Sequence, residues 1–194
     1  MFLSDKDIHA AVVSGEIFLK PFNPKFLQPA TYDIQLGNIF IVNEAHSTIA
    51  IDPVKGIFPK TKTIKVADGE EFVLHPGVSI LGYSKEKFGS DHYLIEVNGK
   101  SSLARIGLLV HNSASIVNPG HFLNIALELC NLNNVPIVLR PGMQIAQLSF
   151  STLSSKPKKD YQKIGGRYHK NNIVGYVPKK EKVAVSSKKK AKTD

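Results

Sequence analysis

From Ile17 onward the chain is built of short apolar or alternating runs: IFL, YDIQLG, IFIV, TIAI, TIKV, EFVLHPG, SILGY, YLIEV, LLVH, NIALELC, PIVLRPG and QIAQLSF. Each run is cut off by Gly, Pro, Asn or Asp, the pattern of many short strands, which points to an all-β sandwich or barrel. The segments FVLHPGVSILGY (72–83) and IVLRPGMQIAQL (137–148) share a strand, Pro-Gly, strand grammar. Proline presets φ and glycine takes a positive φ, so type II turns are expected at 76–77 and 141–142. Before the strands, Ser4 and Asp7 have capping-box form, and Ile8, Ala11 and Val12 repeat at helical spacing ahead of Gly15. A short helix over 5–14 follows.

The chain holds 194 residues, 42% of them hydrophobic, a length suited to one domain with a real core. Its single cysteine, Cys130, makes no intramolecular disulfide and excludes zinc sites that need two or more thiolates. The histidines show no HxxxH or HxH spacing, and His111 reads as a hydrogen-bonded residue at the end of a buried strand. The first residues lack a secretory pattern and no stretch of 18 apolar residues occurs, so the expectation is a soluble, cytoplasmic protein with no membrane contact. The net charge of +9 is uneven: residues 179–194 hold seven Lys and carry +5, leaving a mildly basic body. The expected division is a β domain over 1–178 and a disordered Lys-rich tail over 179–194.

Chemistry concentrates in three places. In Asn98-Gly99-Lys100-Ser101-Ser102-Leu103-Ala104-Arg105, a glycine turn, two hydroxyls and two cations fall together. A helix starting near Ser101 or Ser102 would offer free N–H groups to phosphate, with Arg105 one turn on, although a capped surface helix is the plainer alternative. Only GKS matches a Walker A loop, and no nucleophile elbow surrounds Ser101. In NIALELC, alternation sets Ile125, Leu127 and Leu129 on one face and Ala126, Glu128 and Cys130 on the other. Glu128 is then either a solvated strand residue or, if that face lines a pocket, a proton shuttle. Last, Tyr161, Arg167, Tyr168, Lys170, Asn171 and Asn172 follow and flank Gly165-Gly166, as in a linker or in a C-terminal flap that closes on an anionic ligand.

Several blocks together are recognisable: GKSSLARIGLLVH (99–111), Pro119-Gly120, ALELCN (126–131), LRPGMQIAQLSF (139–150), LSDKDI (3–8) and ATYDIQLG (30–37). In this order they resemble the dCTP deaminase branch of the dCTP deaminase/dUTPase superfamily over nearly all of residues 1–175. The resemblance implies a distorted β jelly roll, a homotrimer with active sites shared between chains, and zinc-free hydrolysis of dCTP to dUTP and ammonia. By position it makes Glu128 the general acid/base, with Ser101, Arg105 and the Ala114 carbonyl holding water and amine. Lys100, Ser101, Ser102 and Arg105 match the phosphate-binding block, and the backbone at Ala126 and Leu127 faces the pyrimidine. The flap, about 160–176, brings Tyr161, Arg167 and Asn171, while Mg²⁺ rides on the triphosphate and the protein itself holds no metal.

Two departures from the family pattern are specific. The family commonly carries Ala-His-Arg-Ile-Asp-Pro-Gly or Ala-Gly-x-Ile-Asp, whereas this chain has Ala114-Ser115-Ile116-Val117-Asn118-Pro119-Gly120. An amide at Asn118 still hydrogen-bonds a sugar but replaces the aspartate that orients water in dUTPases, which ranks dUTP ahead of dUMP as product. The usual lysine-tyrosine pair appears as Arg167-Tyr168, and the base-contacting amide as the shorter Asn171. The alternatives are a dUTPase or bifunctional enzyme releasing pyrophosphate, and a non-catalytic nucleotide-binding or interaction protein, with dTTP a possible inhibitor. Nucleic acid is expected to bind only non-specifically, through the tail. Deleting 179–194 is expected to abolish salt-sensitive DNA binding and to leave deamination unchanged. Loss of turnover would move the domain boundary into the tail.

Overall fold

The computed structural model describes residues 1–168, 170, 173 and 175; Asn171, Asn172 and the tail from 179 lie outside them. The N-terminal helix α1 (Asp5–Ser14) has the expected limits. The Asp7 N–H donates to Ser4 Oγ (3.4 Å) and the Ser4 N–H to Asp7 Oδ2 (3.2 Å), closing the capping box, and Gly15 ends the helix at φ 83°.

The rest is mostly strand: β1 (Ile17–Lys20), β2 (Leu27–Gln28), β3 (Thr31–Gln35), β4 (Ile39–Asn43), β5 (Thr61–Lys65), β6 (Phe72–Leu74), β7 (Ser79–Tyr83), β8 (Lys87–Ser90) and β9 (Tyr93–Gly99). A short helix α2 (Ser101–Ala104) leads to β10 (Leu108–Leu109), β11 (Ile116–Val117), β12 (Ala126–Asn131), β13 (Ile137–Leu139) and β14 (Gln144–Thr152). Two five-stranded sheets form, ordered β10-β12-β7-β4-β5 and β11-β9-β14-β3-β2, with two-stranded ribbons β1-β8 and β13-β6. Every strand pair is antiparallel.

One apolar cluster takes side chains from both sheets: Leu127, Leu129, Ile80 and Phe40 from the first, Tyr32, Ile34, Ile95, Val97, Leu148 and Phe150 from the second. The all-β architecture thus follows the alternation in the sequence, each sheet turning one face of its period-two pattern inward. Both Pro-Gly turns form as expected. Gly77 and Gly142 sit at φ 71° and 86°, and the Val78 and Met143 N–H groups donate to the His75 and Arg140 carbonyls (3.2 and 3.1 Å). The run TIAI (48–51) is not a strand: it lies in the turn-rich connection between β4 and β5, where Ile49 and Ile51 are exposed. Its alternation has no partner strand to pair with. No helix among the described residues is long and apolar enough to cross a membrane.

A polar knot holds the segment that enters β12. The Ser84 hydroxyl donates to the Glu86 carbonyl (2.7 Å) and accepts from the Ile125 N–H (2.9 Å), while Asn124 Nδ2 donates to the carbonyls of Ser84, Lys85 and Glu86. Within it Glu86 is 0% exposed; its Oε2 accepts from the Gln35 N–H (2.9 Å) and its Oε1 has no partner among the described residues. Burial raises this carboxyl above its ordinary value of 4.5, outweighing the Gln35 hydrogen bond. The native state therefore keeps a proton that the unfolded chain has lost, so this contribution to stability is complete below pH 4.5 and fades as pH rises through the raised value. Glu86→Gln is expected to flatten that decline in urea unfolding measured across pH. An unchanged pH profile would contradict the assignment.

Candidate active site

The outer face of β12 carries the site. In register with β7, Glu128 lies opposite Leu81 and Ala126 opposite Tyr83, while Leu127 and Leu129 are fully buried on the other face. Glu128 lines a cavity of about 360 Å³ together with Leu81, Ala114, Ile116, Val117, Asn118, His121, Ile125, Ala126, Tyr161, Tyr168 and Gly175. This volume is at the small end of ligand pockets, and its walls are largely apolar with a few converging polar groups. The face of β12 that carries Glu128 thus lines a cavity.

The carboxylate is fastened from a neighbouring loop. The Asn112 N–H donates to Glu128 Oε2 (3.3 Å), and the next residue, Ser113, takes φ 60°, a left-handed conformation that a non-glycine residue adopts at a cost of order 1–3 kcal/mol. Its hydroxyl donates to the Asn112 carbonyl (2.6 Å). This kink places Ala114 on the cavity wall beside the carboxylate. The hydrogen bond expected for the ring of His111, just before, is not made at its buried Nδ1, which has no partner among the described residues.

Asn118-Pro119-Gly120-His121 forms a turn in which the His121 N–H donates to the Asn118 carbonyl (3.3 Å). Asn118 and His121 both line the cavity. His121 is 6% exposed, its Nε2 has no partner among the described residues, and burial lowers its imidazole below the ordinary 6.5, so the ring is neutral near pH 7. Local spacing gave no reason to choose this histidine; its position directly after Pro-Gly was the available signal.

The C-terminal segment packs onto this turn. The Tyr161 N–H donates to the Pro119 carbonyl (2.8 Å), its ring meets His121 edge-on at 5.6 Å, and its hydroxyl accepts from the Tyr168 N–H (3.2 Å). Gly165-Gly166 is a fitted turn rather than a loose hinge: Gly165 has φ 67°, and a Cβ on Gly166 would overlap the Tyr161 ring.

The remaining sequence candidates lie elsewhere. The helix α2 begins at Ser101 as expected, but Lys100, Ser101, Ser102 and Arg105 do not line the Glu128 cavity within this chain. Ser101, Ser102 and Arg105 are exposed, and Lys100 is in contact with Asp33. The Leu127 side chain faces the core, so only its backbone is available on the cavity side. Arg167 is exposed and does not line the cavity, and Asn171 is outside the described residues.

On the opposite side of the Pro-Gly turn, β8 supplies Gly89, where a Cβ would collide with the His121 carbonyl and crowd the Phe122 ring. Gly89→Ala is expected to cost about 1–3 kcal/mol in urea unfolding, because backbone cannot yield as a side chain does. An unchanged midpoint would show that the 118–122 turn is free to shift.

Comparison with known proteins converges on one group. The profile of the family described as dCTP deaminase-like matches residues 2–153. A protein of Corynebacterium efficiens named dCTP deaminase, dUMP-forming, is 40% identical over 171 residues, covering 87% of this chain and 89% of its own. One of the same name from Tropheryma whipplei is 44% identical over 162 residues, covering 83% of each. In fold, the crystal structure of 2'-deoxycytidine 5'-triphosphate deaminase from Agrobacterium tumefaciens aligns with a TM-score of 0.60 at 21% identity, over 78% of this chain and 48% of that longer one. With the family profile spanning most of the strands and relatives above 40% identity covering most of its length, the chain belongs to the dCTP deaminase-like family.

Proposed function

We propose that the protein hydrolyses dCTP to dUMP, ammonia and pyrophosphate, using two waters, with Glu128 as general acid/base of the deamination. The observation that carries this reading is Glu128 in an otherwise largely apolar cavity, tied by the Asn112 amide beside Ala114 and Asn118. A carboxylate so placed takes a proton from water as the oxygen attacks C4 of cytosine, and returns protons to the ring nitrogen and then to the departing amine. The Ala114 carbonyl accepts a hydrogen bond from that water or from the amine, and the apolar walls keep other water away.

The sequence alone favoured dUTP as the final product, on the strength of Asn118. The relatives' name supports the second step, to dUMP, instead. An amide orients a water and holds a sugar hydroxyl but takes no proton, so in this reading Asn118 positions the attack on the α-phosphorus without serving as its base. Magnesium enters with the substrate, on the triphosphate.

In this reading phosphate is met by the exposed Ser101, Ser102 and Arg105. Since these do not line the Glu128 cavity of their own chain, the two halves are completed across a homotrimer, each chain giving its α2 to a neighbour's cavity. A stable monomer with full activity in sedimentation would contradict that assembly.

One chromatogram tests the chemistry. Wild type with dCTP and Mg²⁺ is expected to yield dUMP, ammonia and pyrophosphate. Glu128→Gln, which still accepts from Asn112, is expected to slow ammonia release by about 10²–10⁴-fold. Asn118→Asp is expected to raise the ratio of dUMP to dUTP. Accumulation of dUTP alone would restore the monofunctional reading, and binding without turnover would leave a nucleotide-binding protein.

A further inference from the structure

Asp33 is a buried carboxylate that the reaction above does not use. It sits in β3 between the core residues Tyr32 and Ile34, so its side chain leaves the opposite face of the sheet. Its side chain is 2% exposed, its Oδ2 accepts from Gln28 Nε2 (3.2 Å), and its Oδ1 has no partner among the described residues. A carboxylate this buried is tolerated only with a cation in contact, and Lys100 Nζ provides it at 2.6 Å, itself 20% exposed.

Lys100 is also the N-cap of α2. Its carbonyl accepts from the Leu103 and Ala104 N–H groups (3.0 and 2.9 Å), but its side chain makes no cap hydrogen bond. The side chain instead runs back over the sheet. Asp33 pairs with Gln147, and Gln147 with Asn98, so the ammonium crosses from the end of β9 over β14 to β3. It pins the turn that presents Ser101 and Ser102 to β3, which lies between β14 and β2 in the second sheet. Arg105, at the other end of α2, is exposed and has no carboxylate partner among the described residues.

We infer that Asp33 is a positioning residue for the phosphate-binding turn, and that Lys100 is its structural counter-ion rather than a phosphate ligand, the anionic charge being met by Arg105. This rests on the proposed nucleotide chemistry. A phosphate that drew Lys100 away would strand Asp33 in the interior as an unpaired charge, which is the costly way to break such a pair.

The test compares Asp33→Asn, Lys100→Met, the double variant, Lys100→Arg and Arg105→Gln, reading kcat and KM for dCTP and the ratio of dissociation constants for dCMP and dCTP. Asp33→Asn and Lys100→Met are each expected to lower kcat about tenfold, the scale of a slightly misplaced site, while keeping the triphosphate preference. Lys100→Arg, which retains the pair, restores kcat. Arg105→Gln is expected to lose the preference by tenfold or more. The inference is overturned if Lys100→Met loses the preference as Arg105→Gln does while Asp33→Asn keeps wild-type kcat. Should a single variant fail to fold, the double variant decides: a urea midpoint above that of Lys100→Met, which strands the buried Asp33, supports the pair, and additive losses refute it. Wild type that binds neither nucleotide would defeat the proposed function, leaving the unfolding comparison to judge the pair.

Discussion

The site depends on the period-two alternation of β12. Leu127 and Leu129 are drawn into the core between the sheets, and that burial alone fixes which way Ala126, Glu128 and Cys130 face. A slip of one residue would bury a carboxylate and expose two leucines, so the core enforces the register that puts Glu128 on the cavity wall. The ladder to β7 then sets Glu128 against Leu81, and the Asn112 amide completes its placement. Packing energy is thus what aims the Glu128 carboxylate.

Around that strand, backbone contacts do the closing. Tyr161 binds the Pro119 carbonyl, rests against His121 and receives the Tyr168 amide, while Gly166 and Gly89 leave room for the ring and for the His121 carbonyl. Each contact involves backbone on at least one side or a ring in a fitted slot, so the pocket is largely pre-formed. The His121 imidazole in its wall is kept neutral by burial, which suits it to an uncharged part of a ligand rather than to phosphate.

Much of this was legible in the sequence. Alternation over 125–130 announced both faces of β12, Pro-Gly announced the turns at 76–77 and 141–142, and Ser4 with Asp7 announced α1. What escaped was whatever depends on distant partners. TIAI has strand texture but no strand beside it, and Glu86 and Asp33 look like ordinary polar residues until the fold buries them. The contact of Lys100 with Asp33 was equally hidden, because Gly-Lys-Ser-Ser says nothing about a carboxylate on β3. His121 entered the cavity through a turn whose path no local spacing encodes.

The separation of Glu128 from Ser101, Ser102 and Arg105 within one chain is the claim on which the account turns. A crystal structure of Glu128→Gln with dCTP and Mg²⁺ tests it most directly. Cytosine C4 is expected beside residue 128 of one chain, with the phosphates on Ser101, Ser102 and Arg105 of another. A nucleotide bound away from residue 128, or held wholly by one chain, would contradict it.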